Sequence, residues 1–240
     1  MKHLNHKPLG LALLAALILG ISPFPVLADF YSNLGKTRVN GRSYDRLAAQ
    51  WYEHYISIPD PAHPGLAVGE VDCAPDQTGM IWFLVNPVPQ FGGWNPVELE
   101  CTVPRRILFF PVLTVFYANY PEDDPPADEA FKRFANEFVV ESACELQVTL
   151  DDVPLEYSAP IVRSQTRAFP FSAEEGRNIF QVPAGTDDPE TYADGQWVAL
   201  PPLPAGEHVL HYRSGVLCDD DGVPLLSHDV TYHLTVVGGP

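Results

Sequence analysis

The sequence predicts a mainly β protein, with an Ig-like β-sandwich in its C-terminal half and one or two peripheral helices in its N-terminal half. Three observations lead to this fold class. The 25 prolines are spread through the chain, and helices accept proline only in their first turn. Short apolar runs recur at about 10-residue spacing with turn residues between them, which is typical of a sandwich. The four cysteines are even in number and lie beyond the first 70 residues.

Residues 1–28 are predicted to be a signal peptide. Lys2 and Lys7 precede an apolar run over 9–21, and Val26 and Ala28 stand where a signal peptidase reads small or short side chains. The run is too short to cross a bilayer, which needs roughly 20 residues, and no later segment is long and apolar enough to span one. We therefore expect an exported protein, periplasmic or extracellular, that begins near Asp29.

The charge balance excludes two classes of partner. Removal of Lys2 and Lys7 leaves 14 − 2 = 12 basic residues against 31 acidic ones, a net charge of −19. Such a field repels nucleic acid and anionic membranes. An acidic chain of this kind is typical of a solvated surface in an extracellular setting.

The cysteines predict two disulfides, because thiols of exported proteins oxidise in pairs. Three pairings are open. We favour Cys73 with Cys101 and Cys144 with Cys218, since the first two flank one motif and the other two belong to the later half. Zinc binding would need close spacings of the C-x-x-C kind, and the sequence has none.

The predicted organisation has two regions in one compact unit. Residues 29–142 form a helix-plus-strand region, and residues 143–240 form the sandwich. The earlier region either extends the sandwich or packs closely against it. No linker rich in Gly or Ser separates the two, which favours a single unit.

Two segments are predicted as helices. The first covers 44–58, with Ser43 as its N-cap and Pro59 after its end, and its apolar positions recur at helical spacing. They are Leu47, Trp51, Tyr55 and Ile58.

The second predicted helix follows Pro125 and Pro126. Phe131, Phe134 and Phe138 make one apolar stripe that we expect in the core, as we do for the stripe of the first helix. Charged side chains are expected to face water on the opposite side: Asp128, Glu129, Lys132 and Arg133.

Strand periodicity accounts for most of the remainder. Continuous apolar runs at 80–85 and 107–115 predict strands covered on both faces. Shorter candidates follow at 146–150, 161–165, 178–182, 196–200, 208–213 and 229–237. The last one alternates, with Val230, Tyr232, Leu234 and Val236 on one face. Hairpin turns are expected at Asp151-Asp152 and at 203–206.

One motif dominates the first region: QTGMIWFL at 77–84, followed by CTVP at 101–104 and LFFP at 108–111. Together with Trp51, Ile58-Pro59 and Cys73, it resembles a family of exported bacterial and archaeal proteins with the pattern Q-x-G-x-V-W-F-L, R-x-C-x-V-P-x-G and L-F-F-P-x-x-N. The segments LPPL at 200–203, GEH at 206–208 and VTYHLTV at 230–236 resemble that family's C-terminal half. The resemblance implies no activity.

The chain departs from that pattern at three places. Leu99 and Glu100 stand where the arginine is expected, Arg105-Arg106 replaces the glycine position, and Thr114 replaces the asparagine. The resemblance therefore transfers no role to these polar positions.

The motif has a structural and a functional interpretation. In the structural one, Gln77 and Thr78 bond backbone groups at the turn, Gly79 supplies an unusual backbone angle and Trp82 fills the core beneath the disulfide. In the functional one, Gln77, Asn86 and Trp94 surround a cleft mouth, and the turn at 91–94 presents an aromatic platform to a sugar or other flat ligand. Trp51 and His54 on the first helix are further ligand-binding candidates.

Catalytic signals are weak. Paired carboxylates would serve a glycosidase-like hydrolase, and Glu53, Glu70 and Asp72 lie nearest the motif. No G-x-S-x-G segment is present, and no Gly-rich loop indicates a nucleotide. No cofactor is implied.

Two places could hold a metal. Asp219 and Asp221, with the acidic run 122–124, offer oxygen ligands for calcium, although a charged hairpin turn explains them better. His211 and His233 could meet and bind a transition metal if their strands pair; half-exposed strand histidines are the simpler interpretation.

The sequence favours a binding or structural role outside the cytoplasm without chemistry of its own, with a carbohydrate or other cell-surface ligand as partner. The alternative is an exported hydrolase that acts on a polysaccharide or similar polymer through paired carboxylates. The two differ in whether carboxylates converge in one concave pocket beside Trp51 or Trp94.

Overall fold

The computed structural model describes residues 38–73, 75, 77–155 and 161–238, so the expected signal peptide lies outside the described residues. The α-helices within these ranges are α1 (Tyr44–Ser57) and α2 (Glu129–Glu141). The early strands are β1 (Arg38–Val39), β2 (Arg42–Ser43), β3 (Gly69–Glu70), β4 (Ile81–Phe83), β5 (Gln90–Phe91), β6 (Val97–Pro104) and β7 (Ile107–Tyr117). The later strands are β8 (Ala143–Leu150), β9 (Val153–Pro154), β10 (Val162–Gln165), β11 (Phe169–Ser172), β12 (Asp187–Leu200), β13 (Gly206–Val216) and β14 (Leu226–Val237).

Two mixed sheets organise the described chain. The larger has the order β3-β6-β14-β13-β8-β9, with β5 beside β14, and the smaller has the order β10-β12-β7-β4, with β11 beside β12. Three strand pairs are parallel, namely β3 with β6, β6 with β14 and β4 with β7. The mainly β fold class is confirmed, and the layered arrangement is sandwich-like. Each sheet combines strands from before and after residue 143.

The main core lies between the two sheets. It includes Val230, Tyr232, Leu234 and Val236, the face of β14 that the alternating sequence predicts to be apolar. Strand β7 contributes Leu108, Phe110 and Val112 to the same core. Its intervening residue Phe109 faces a second core under α1. Strand β7 is therefore covered on both faces, as its continuous apolar run predicts.

Helix α1 packs on the outer face of the smaller sheet. Leu47, Trp51, Tyr55 and Ile58 are all buried, which confirms the predicted stripe. The helix begins after Ser43, but the Ser43 side chain makes no cap hydrogen bond to a backbone N–H. The predicted capping interaction is therefore wrong, although the helix boundary is correct.

Helix α2 packs against the sheet with the face opposite to the predicted one. Phe131, Phe134 and Phe138 are 51%, 63% and 58% exposed, whereas Lys132 is only 2% exposed. The Lys132 Nζ atom lies 2.6 Å from the Asp188 carboxylate and also donates to the Glu190 carbonyl. The helical spacing of the three phenylalanines predicts that they are buried. Instead, the ion pair between Lys132 and Asp188 on β12 brings the opposite face of the helix against the sheet.

The other charged residues predicted on the water-facing side of α2 do not behave alike. Asp128 caps the helix by accepting a hydrogen bond from the Phe131 backbone N–H, and Glu129 is exposed. Arg133 is half-buried, with its guanidinium carbon 4.3 Å from the centre of the Tyr192 ring. The prediction that this face is solvated is correct for the acidic residues and wrong for the basic ones.

Both favoured disulfides are present, Cys73–Cys101 and Cys144–Cys218. The first joins the segment after β3 to β6, and the second joins β8 to the loop after β13. In a chain of this kind two such bonds indicate an oxidising, non-cytoplasmic compartment. None of the helices in the described ranges is long and apolar enough to cross a membrane.

Five of the eight predicted strands form with longer bounds, 80–85 and 161–165 form with shorter ones, and 178–182 does not form. Residues 178–182 make a turn in which Asn178 donates from its side chain to the Val182 carbonyl and accepts from the Val182 N–H. Gln181 within this turn has a positive φ of 52°. The Asn178 amide thus takes the place of strand partners.

The two predicted hairpin turns have different outcomes. Asp151 and Asp152 both adopt positive φ between β8 and β9, as the predicted hairpin requires. The segment 203–206 turns at Gly206, but it connects β12 in one sheet to β13 in the other. It is a crossing between sheets, so the hairpin expected there is wrong.

Candidate ligand-binding site

An aromatic cavity of about 190 Å³ lies where α1 meets the smaller sheet and the end of the larger one. Five separate parts of the chain form it: α1, the segment after β4, the second half of β7, the loop before β12, and β14. The lining residues are Trp51, Tyr52, Tyr55, Asn86, Pro87, Pro89, Thr114, Val115, Phe116, Phe180 and His228.

Helix α1 supplies three aromatic side chains, because positions 51, 52 and 55 share one helical face. The Trp51 ring stacks on Tyr55 with 4.7 Å between ring centres, and its Nε1–H donates to the Leu84 carbonyl. The Tyr55 hydroxyl donates to the Asn86 carbonyl at 3.1 Å. Burial raises the pKa of Tyr52 and of Tyr55 far above the ordinary tyrosine value, so both hydroxyls stay protonated.

Asn86 is the polar centre of the cavity and is only 3% exposed. Its Nδ2 atom donates to the Pro111 carbonyl at 2.9 Å. Its Oδ1 atom is buried and has no hydrogen-bond partner within the described parts of the chain. A buried amide oxygen left unpaired costs about 1–3 kcal/mol. Because this oxygen is inaccessible to solvent, it lies within the wall and not on the open surface of the cavity.

His228 on β14 forms another part of the wall. Its Nε2 atom lies 3.2 Å from the Pro87 carbonyl, and because a carbonyl can only accept, Nε2 carries the proton. Burial lowers the pKa of His228 to about 4, outweighing the opposing effect of that hydrogen bond. The imidazole is consequently neutral at physiological pH.

Phe180 covers the cavity from the loop before β12. Its ring stacks on Tyr55 at 5.5 Å and lies 4.7 Å from the Phe116 ring. The loop is tethered to the residues after α1, since the Asp60 carboxylate accepts from the Asn178 N–H and the Asp60 N–H donates to the Gly176 carbonyl. The same turn that replaces the predicted strand thus positions a ring over the site.

Close packing behind the cavity fixes the Asn86 backbone. A Cβ atom at Gly65 would lie 2.8 Å from both the Asn86 carbonyl oxygen and the Tyr55 hydroxyl. His63 holds the same loop, with Nε2 bonded to the Tyr55 carbonyl and Nδ1 accepting from the Gly65 N–H. Burial lowers the pKa of His63, which keeps this second imidazole neutral.

The structure brings together two of the five sequence-predicted ligand residues, Trp51 and Asn86. Gln77 lies elsewhere and binds both backbone groups of Phe83, accepting from its N–H at 2.6 Å and donating to its carbonyl at 2.8 Å. Gly79 has a positive φ of 94°. Gln77 and Gly79 therefore act as the structural interpretation of the motif describes.

Trp94 does not form an open platform. The Arg213 guanidinium lies over its ring at 3.9 Å from the centre, and the ring edge sits so close to Gly215 that a Cβ there would be 2.8 Å away. His54 is half-buried on α1 beside Phe83 and does not line the aromatic cavity. The predicted cleft around Gln77, Asn86 and Trp94 is not assembled.

The catalytic candidates divide between two places. Glu70 and Asp72 line an open groove of about 640 Å³ on the larger sheet, together with Glu100, Glu207 and His233. Glu53 is exposed on α1 and does not line this groove. Four of the nine residues that line the groove are acidic, whereas none of the described residues in the wall of the aromatic cavity is charged.

The metal candidates are not brought together. Asp219 accepts hydrogen bonds from the N–H groups of Asp221 and Val223, which makes it the centre of a charged turn. His211 pairs with Asp229 and His233 with Glu98, and the strand register offsets the two histidines by two residues. Across the parts of the chain that the structure describes, no group of three or more His, Cys, Asp or Glu side chains could hold a metal ion.

The exposed face of α2 forms a second apolar surface beside the cavity. Phe131, Phe134 and Phe138 enclose a hollow of about 410 Å³ with the end of β7. Val115 and Phe116 line both this hollow and the aromatic cavity. The two apolar regions are therefore neighbours across one strand.

Comparison of the chain with known protein families, with curated proteins and with solved structures found no match in any of the three. The resemblance to exported proteins drawn from the motifs remains an expectation. Thr114, Phe180 and His228 line the cavity, but the sequence did not predict them as site residues. Thr114 could have been found from the sequence, because it stands where the family pattern has asparagine. No sequence feature singles out Phe180 or His228.

Proposed function

We propose that the protein resides in the periplasm or the extracellular space, where it binds a small molecule in the aromatic cavity and performs no chemistry of its own. The observation that carries this proposal is the concave cavity itself, whose wall is mostly aromatic rings and prolines with Asn86 and Thr114 among them. Concave, mostly apolar cavities with a few placed polar groups are the usual form of small-molecule sites.

The groups around the cavity favour binding over catalysis. Among the described lining residues, Thr114 has the only aliphatic hydroxyl, and it donates to the Asp194 carbonyl rather than to a base. None of these residues carries a carboxylate. An activated nucleophile needs an adjacent base, and the geometry of Thr114 does not provide one.

A ligand screen tests the proposal. Aromatic, heterocyclic and sugar compounds are added to the purified protein, and unfolding temperatures are recorded, because a ligand that binds only the native state raises them. We expect hits that vanish in Phe180→Trp, which enlarges a half-buried ring over the cavity. Hits that persist unchanged in this variant, or a complete absence of hits, would contradict the proposal.

The second candidate is hydrolysis of a polysaccharide in the acidic groove. Glu70, Asp72, Glu100 and Glu207 line one concave surface, and the two carboxyl groups of a glycosidase must likewise share one site. A hydrolysis screen on polysaccharides, followed by Glu70→Gln and Asp72→Asn, tests it. Turnover that either substitution abolishes would favour this candidate; Glu53→Gln serves as the control outside the groove.

A further inference from the structure

Strand β7 has a free edge over its second half. On one side it pairs with β12 along residues 108–117, but on the other side β4 pairs only with residues 107–109. The chain after β4 continues to β5, which pairs with β14 in the larger sheet. Within the described ranges, the backbone of residues 114–117 hydrogen-bonds to β12 and to no other segment. We call the side of residues 114–117 that faces away from β12 the open edge.

The open edge borders two hollows. Residues 107–113 of β7 are buried, whereas residues 114–117 are all half-buried. Val115 and Phe116 line both the aromatic cavity, on the α1 side of the strand, and the hollow of about 410 Å³ beside the α2 phenylalanines. Successive side chains of a strand point to opposite faces. A strand laid along the open edge would therefore send alternate side chains toward the two hollows.

Other edges of the two sheets carry features that hinder the addition of a strand. Arg163 lies in the edge strand β10, β9 has only two residues and includes Pro154, and β3 has two residues and ends at Glu70. Short strands, prolines and charged side chains are the usual protection of an edge. The open edge has the sequence Thr-Val-Phe-Tyr, without charge or proline, and these residue types favour strands. It is therefore suited to accept a further strand.

The charges around the open edge indicate the chemistry of the partner. A third hollow, of about 380 Å³, extends from Tyr117 to Asp123 and Asp128. Glu122 and Asp124 in the same turn are exposed. None of the described residues that line these three hollows is Lys or Arg. One end of a bound strand would therefore meet uncompensated acidic side chains.

We propose that the open edge binds an extended segment of a partner protein, which adds to the smaller sheet as a strand. Its apolar side chains pack against Phe131, Phe134 and Phe138, and its basic residues meet the acidic turn at 122–128. In this mode of recognition backbone hydrogen bonds supply affinity, and pockets for alternate side chains supply specificity. The inference goes beyond the proposed function and does not depend on a small molecule in the aromatic cavity.

Charge favours a basic partner over a second copy of the chain. A second copy would bring the same acidic turn and a net charge of −17, and like charges repel. A basic segment would instead offset the charge at the end of the open edge.

Synthetic peptides test strand addition to the full-length protein. Two labelled peptides alternate valine and threonine and carry two lysines, at the N-terminus in one and at the C-terminus in the other, so that both strand directions are covered. Fluorescence anisotropy measures the dissociation constant. At least one peptide should bind, and replacement of its lysines by glutamates should raise the dissociation constant about tenfold or more.

Methylation of the peptide backbone distinguishes strand addition from side-chain packing. Methyl groups on the nitrogens of every second residue block one edge of the peptide, and methyl groups on the remaining nitrogens block the other edge. The pattern that blocks the edge facing β7 should raise the dissociation constant about tenfold or more, because hydrogen bonds are lost. The opposite pattern should change it by less than about threefold.

A matched pair of variants locates the site. Phe134 and Phe91 are 63% and 73% exposed, so aspartate at either position should leave the protein folded. Phe134 lines the hollow beside the open edge, whereas Phe91 on β5 lines neither that hollow nor the aromatic cavity. Phe134→Asp should raise the dissociation constant of the peptide about tenfold, and Phe91→Asp should change it by less than about twofold.

The outcomes decide between the partners. Binding that depends on the lysines, on one methylation pattern and on Phe134 supports the inference. Failure of both peptides to bind, equal effects of the two methylation patterns, or equal effects of the two variants overturns it. A dimer that sedimentation detects in the wild type and not in Phe134→Asp would assign the open edge to a second copy, which also overturns the proposed partner. None of these outcomes bears on the ligand screen of the aromatic cavity.

Discussion

The two helices carry similar apolar stripes, yet one is buried and the other is exposed. Helix α1 places Leu47, Trp51 and Tyr55 against the smaller sheet, whereas α2 turns Phe131, Phe134 and Phe138 to the surface. The difference is that Lys132, on the opposite side of α2, finds a buried carboxylate on β12. A helical period shows that a stripe exists; the partner available on the neighbouring sheet determines which face is covered.

The largest expected effect comes from the ion pair that orients α2. Lys132→Met leaves Asp188 buried without its cation, and we expect a loss of about 3–5 kcal/mol in the free energy of unfolding, measured in urea. Neighbouring Arg133→Met removes a partly exposed pair with Glu129 and the cation–π contact with Tyr192, and should cost only about 1–2 kcal/mol. Equal losses for the two variants would mean that Lys132 does not anchor the helix.

The buried stripe of α1 gives the next largest effect. Leu47 is fully buried, so Leu47→Ala creates a cavity and should lower the free energy of unfolding by about 3 kcal/mol. Denaturant unfolding measures the change. A loss below about 1 kcal/mol would contradict the packing of α1 on the smaller sheet.

Acid should weaken the α1 side of the molecule through His228. Its folded-state pKa of about 4 lies below the unfolded value of about 6.5. The unfolded state therefore binds a proton first: the stability is complete above pH 6.5 and falls as the pH drops toward 4. The contribution lost is about 3 kcal/mol.

The comparison of wild type with His228→Gln measures this loss. The variant lacks the titrating group, so its unfolding free energy should fall less between pH 7 and pH 4 than that of the wild type. Parallel pH profiles for the two proteins would show that His228 is not the buried neutral group described above.

The smallest effect is expected on the exposed stripe of α2. Phe134 is 63% exposed, so Phe134→Ala should change the unfolding free energy by less than about 0.5 kcal/mol. Measured beside Leu47→Ala, this variant gives the sharpest contrast between the helices. A loss of 2 kcal/mol or more would place the Phe134 ring in a core.

Local patterns predicted the parts of the fold that depend on sequence neighbours. The α1 stripe, the alternation of β14 and the turn at Asp151-Asp152 follow from spacing and residue type, and the disulfide pairing followed from position along the chain. The turn at Asn178 was missed because a side-chain amide replaced strand partners. The α2 face was missed because Asp188 lies 56 residues beyond Lys132.

The site was predictable only in part for the same reason. The sequence predicts Trp51 and Asn86 as ligand-binding residues, but the cavity is also lined by Thr114, Phe180 and His228 from distant segments. The deciding feature is the aromatic wall that these segments share, and it appears only when they are packed together. Gln77 and Trp94 have equally suggestive sequence contexts. The Gln77 side chain, however, is hydrogen-bonded to a strand backbone, and an arginine covers the Trp94 ring.

A crystal structure of the protein soaked with the strongest hit of the ligand screen tests the central claim most directly. We predict the ligand in the aromatic cavity, between Tyr55, Phe116 and Phe180. A ligand bound only elsewhere on the surface would contradict the account.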